Sequence, residues 1–162
     1  AWRDRRDKKT GITTTTSLAC ETSQTSPPTA EDSTWQQEIW EFELGYALAR
    51  LDLKVGIALL KHSLRKVREG AQEGLAKVAT GKWVATLIGQ REEIKRAGID
   101  SVDETIFVQA AYRAIDKMLR SLEETGTMED LKVLQGLKEV QDKAVKARVE
   151  WTVGVVGDKV EQ

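Results

Sequence analysis

One histidine and one cysteine limit the chemistry that the side chains of this sequence can perform. A thiol nucleophile needs a base within hydrogen-bond reach, and Cys20 lies in a Ser/Thr-rich stretch that no periodicity ties to His62. On a helical wheel His62 falls with Leu48, Val55 and Leu59, the place of an imidazole packed in or beside a core rather than of a general base. Leu59 stands three residues before His62, where a diiron bundle would carry its glutamate ligand. The sequence also lacks a His-Glu-x-x-His zinc motif and a calcium loop, and Gly81-Lys82 lacks the preceding glycine of a phosphate loop. A lone cysteine excludes a disulfide scaffold, a zinc finger or an iron-sulfur cluster built by this chain alone.

Acid pairs stand at Glu38 and Glu41, Asp103 and Glu104, and Glu123 and Glu124. Acids at a helix start answer exposed amides and the helix dipole without any catalytic role. The residue types therefore predict a noncatalytic protein with no catalytic, cofactor-binding or metal-ligating side chains and no cofactor.

The best alternative chemistry is a basic stripe. At 100° per residue Arg50, Lys54, Lys61, Arg65 and Arg68 fall together, and such a row could track a phosphate backbone as a nonspecific RNA or DNA binder. Glu43 shares the same angular zone, and 25 basic against 26 acidic residues leave a net charge of -1 with no global pull toward polyanions. A solvated helix face is the preferred reading of the stripe.

These side chains need elements to position them, and the elements are helical. The 162 residues, 40% hydrophobic and 31% charged, suit one domain-sized core. No window of about 20 apolar residues could cross a bilayer, because the best candidate, 44–60, carries Arg50, Asp52 and Lys54. The N-terminus lacks the apolar core of a secretory signal, and its start at Ala1 is read as a processed or trimmed form. The expectation is a soluble protein or peripheral subunit, with no compartment assigned.

Residues 1–33 read as a flexible or extended Ser/Thr-rich tail, basic at its start and closed by Pro27 and Pro28. It is a linker or processing remnant, or a docking arm anchored by Trp2. Residues 34–162 read as an antiparallel bundle of about four helices. The first, over 35–69, opens at a Ser33/Gln36 capping box and carries two apolar bands. Leu44, Leu48, Leu51, Val55 and Leu59 form one; Phe42, Tyr46, Leu53, Ile57, Leu60 and Leu64 form the other. Burial on both sides is expected in the assembled protein, with Leu48, Leu51, Leu53 and Ile57 in helix contacts; exposure of Leu51 and Ile57 in an isolated chain would assign the second band to a subunit interface. A second helix over 72–96 follows a kink or turn near Gly70, with an irregularity at Gly81, and stops at Gly98; one continuous long helix is the competing reading. Ser101/Glu104 and Thr127/Asp130 cap a third and a fourth, the last running to Trp151, and 152–162 is a short strand or a loose end.

Two apolar faces on one helix and five tryptophans predict a structural or adaptor subunit, meeting a protein partner or forming a homo-oligomer. The interface candidates are Trp2, Trp35, Trp40, Phe42, Leu53, Ile57, Trp83 and Trp151.

Overall fold

The computed structural model describes residues 30–137 and 139–162. Among them are seven helices and no strand: α1 (Ala30–Leu51), α2 (Leu53–Leu59), α3 (Arg65–Lys77), α4 (Gly81–Ala97), α5 (Val102–Thr125), α6 (Met128–Gln135) and α7 (Lys143–Val160). Contacts divide the chain into residues 1–35 and 36–162. Of the first unit only 30–35, the opening of α1, are described. The expected anchor Trp2 and Cys20 lie outside the described residues.

Seven helices replace the expected four because polar capping groups break the chain where its apolar period runs on. The single helix expected over 35–69 stops at Asp52, whose extended backbone and carboxylate cap α2 by accepting from Lys54 N at 2.8 Å. It stops again after Leu60, where His62 Nδ1 accepts from Leu64 N at 3.0 Å. Arg68 holds this second turn closed, donating to the carbonyls of His62 at 2.7 Å and Ser63 at 3.0 Å. His62 is thus a half-buried turn residue rather than a member of a helical band. Ser33 lies inside α1, so it is not that helix's cap.

The next break falls at 78–80, with Thr80 capping α4 through Trp83 N, and not at Gly70. Gly70 sits within α3 for another reason. A Cβ there would overlap the carbonyl oxygen of Phe42 on α1, a Cβ at Gly45 would overlap that of Val67, and one at Gly74 would sit 2.5 Å from that of Tyr46. Glycine on both helices lets their backbones touch, the packing logic of small residues spaced four apart.

The expected fourth helix is replaced by two, α6 ending at Gln135 and α7 starting at Lys143. Asp142 caps α7 by accepting from Ala144 N and Val145 N. The buried carboxylate of Glu92 on α4 accepts from Gln141 N at 3.0 Å in the same turn. The C-terminal valines form no strand; α7 runs to Val160 because Val145, Val149, Thr152 and Val156 return at steps of four and three and are buried. Two starts match the expectation. Ser101 accepts from Glu104 N at 3.1 Å, and Thr127 and Asp130 form a complete capping box. Gly98 closes α4 at φ 93°.

The core is built around α5, which packs against α3, α4 and α7. Its inward face is Phe107, Ala110, Ala111, Ala114, Ile115, Met118, Leu119 and Leu122. The alanines admit neighbouring helices closely and the larger residues fill the space between them.

Candidate functional site

The residues expected at an interface fall into two groups. Ile57 is a core residue at 5% exposure, and Leu53 and Trp83 pack against the core from partly buried positions. Phe42 is half-buried, its ring stacked with Tyr46 at a centroid distance of 6.5 Å. Trp35, Trp40 and Trp151 are exposed.

Within the single chain the first helix is covered on one side only. Phe42, Gly45, Tyr46 and Ala49 line the side of α1 that meets α3. The other side faces outward: Trp40 is 76% exposed, Leu44 54% and Leu51 80%. Ala47 is exposed in the same row and Leu48 half-buried beside it. Asp52 explains the outcome physically. The band continues in sequence to Val55 and Leu59, but the turn redirects α2, so its apolar residues no longer extend the face begun on α1. Glu43 and Arg50 flank the row, both exposed. The Arg50 guanidinium stands over the Tyr46 ring at 5.2 Å, and Glu43 has no partner among the described residues.

The same turns scatter the basic stripe. Arg50 belongs to α1, Lys54 to α2, Lys61 to the following turn, and Arg65 and Arg68 to α3. Lys61 lies over the Phe107 ring at 5.1 Å and Arg65 pairs with Glu69 at 3.5 Å. Arg68 is committed to the two turn carbonyls. A cleft of about 280 Å³ between α3 and α5 brings Arg65 and Arg68 near Arg113, but it also contains the carboxylate-bearing Glu69. A row of free cations along one helix, the geometry that tracks a polyanion, is not what these residues form.

The strongest electrostatic sites elsewhere are structural ties that no local sequence pattern announces. Asp142 accepts from Lys95 Nζ at 2.7 Å and Arg91 Nη1 at 2.8 Å, joining α4 to the start of α7. The hydrogen bond from Lys95, followed by that from Arg91, outweighs burial and holds the Asp142 carboxyl far below the usual carboxylate range. Arg91 is itself buried and also donates to Val108 O. On the other side Arg148 of α7 donates to Asp116 Oδ1 at 2.8 Å, to Glu123 and to Thr152 Oγ1 at 3.0 Å. Burial alone would raise the Glu123 pKa; bonds from Arg148 and Thr152 overcome it and lower it. Asp130 behaves alike, burial being outweighed by bonds from Gly81 N and Thr127. Opposite charges paired across helix contacts lock α4, α5 and α7 together, and none of these groups converges on an open cavity with an unmet proton partner.

No group of three or more His, Cys, Asp or Glu side chains placed to hold a metal ion occurs among the described residues. No helix among them is long and apolar enough to cross a membrane. No family model matches this chain, nor does any curated protein or solved structure. The candidate site is therefore the outward face of α1.

Proposed function

We propose that the chain is a noncatalytic structural or adaptor subunit of a helical assembly, attached through the outward face of α1. In this reading the long helices form an antiparallel bundle that presents α1 to a partner. The single observation that supports it is the row Trp40, Leu44, Ala47 and Leu51, all exposed on one side of a helix docked by its other side. Isolated exposed apolar residues are normal on a protein surface. Several aligned over three turns make a contiguous patch of the kind that marks interaction sites.

The magnitudes fit a reversible contact. Burying a large apolar side chain returns about 1.5–3 kcal/mol, so the three large residues supply gross stabilisation on the order of 6 kcal/mol. That is comparable with the lower values for the freedom lost on association, roughly 4 kcal/mol. Flanking contacts must contribute for the assembly to hold at micromolar concentrations.

Size-exclusion light scattering of native material, with mass identification of co-eluting chains, tests the reading. The wild type should travel above its monomer mass of 18.1 kDa. Leu51→Glu should release it, whereas Val102→Glu, at an equally exposed site at the start of α5, should not. A lone chain for the wild type, or equal behaviour of the two variants, would contradict the proposal.

A further inference from the structure

We infer that the occupant of the α1 face is a second copy of the same helix, laid antiparallel. The inference rests on the assembly reading above and names its partner. Trp40, Leu44, Ala47 and Leu51 follow one another at steps of four, three and four. That spacing makes them successive d, a, d and a positions of a heptad, a two-heptad seam. In an antiparallel pair a meets d, so Trp40 of each copy lies on Leu51 of the other at the two ends. Leu44 lies on Ala47 in the two central layers. The small alanine lets the helix axes approach in the middle, and the two most exposed large apolar residues among those described close the ends.

Charge decides the orientation. Glu43 and Arg50 occupy successive g positions, one acidic and one basic. An antiparallel pair sets g against g, so Glu43 of each copy meets Arg50 of the other, twice by two-fold symmetry. The register leaves those residues two positions apart, about 3 Å along the axis, within the reach of an arginine side chain. A parallel pair would set g against e and place Glu43 beside Leu48, with no opposing charge. Both charged groups are exposed, and Glu43 has no partner among the described residues of its own chain. The flanking charges at the g positions are complementary in one orientation only.

Because each copy buries its three large side chains, twice the one-sided sum above, four layers make a weak dimer with a dissociation constant on the order of 10 µM. Sedimentation equilibrium of the full chain at low ionic strength, from about 1 to 200 µM, covers that range. Glu43→Arg sets Arg against Arg in both flanking pairs and Arg50→Glu sets Glu against Glu; each should weaken the dimer about tenfold. The double variant restores both pairs with reversed sign and should return to within about threefold of the wild type. Circular dichroism of each variant confirms that the fold is retained, since both sites are on the surface. A wild type that stays monomeric throughout, or a double variant weaker than either single one, overturns the inference. If such a monomer still leaves its source inside a larger complex that Leu51→Glu dissolves, the second copy is wrong and the assembly reading stands. A lone chain in both settings overturns both.

Discussion

Replacing Gly70 by alanine should destabilise the protein although it removes a helix-breaking residue. In an open helix the change gains about 1 kcal/mol. At Gly70 the new methyl group would overlap the Phe42 carbonyl oxygen and stand 3.0 Å from Tyr46 N, both backbone atoms of α1. Neither can rotate away, so α1 must lift from α3 by on the order of 1 Å, which forfeits a quarter to a half of the dispersion attraction of the separated atoms. Gly45 and Gly74 tie the same crossing at two further points, so the lift is felt along its whole length. Overpacking costs about 1–3 kcal/mol, and three backbone contacts along one crossing put this case at about 2–3 kcal/mol, a net loss of about 1–2 kcal/mol after the helix gain of about 1 kcal/mol. Gly89 is the control: it lies within α4 and a Cβ there meets nothing within 4 Å. Thermal melts followed at 222 nm should show Gly70→Ala lowered by about 3–6 °C and Gly89→Ala raised by about 2–4 °C. A Gly70→Ala protein melting at or above the wild type would refute backbone contact between α1 and α3.

Three further outcomes follow from the ion pairs and the scattered basic residues. Asp142→Ala leaves the buried Arg91 without its carboxylate, and urea unfolding should register a loss of about 3 kcal/mol. Because Asp142, Glu123 and Asp130 all titrate below their ordinary range when folded, the unfolded chain binds more protons in acid; stability should be level near neutrality and fall as pH drops below about 4.5. Asp142→Asn should flatten that decline, and an unchanged acid slope would discount the Lys95 and Arg91 contacts. Arg68→Ala should loosen the turn between α2 and α3, read as faster amide exchange at Ser63 and Leu64, while leaving retention on polynucleotide unchanged; a salt-sensitive fall in retention would revive the nucleic-acid reading.

The helical class and several boundaries were legible because they are local. Ser101 and Thr127 precede acids at the capping distance, and Gly98 takes the positive φ that a helix end accepts. The breaks at Asp52, at 61–64 and before α7 were hidden because the apolar period runs through them, and a caps-first reading of Asp52 and Asp142 would have exposed two. Gly70 looked like a kink because sequence shows the cost of glycine in a helix but not the neighbouring backbone that requires it. The second apolar band on the first helix was visible, yet which side meets the core depends on where α3 docks. Leu51 accordingly lies outside and Ile57 inside. The Asp142 and Arg148 networks join residues far apart in the chain, and no spacing rule brings them together.

On association the outward face of α1 should become covered. Fluorine NMR of 5-fluorotryptophan-labelled protein reads this at the residue concerned, with the Trp40 resonance assigned by Trp40→Phe. As concentration rises from about 1 to 200 µM, or as the partner is added, the Trp40 signal should shift and lose its solvent isotope effect. That of Trp83, packed against the core, should stay fixed. A Trp40 resonance that keeps its solvent exposure in fully assembled material would contradict the account.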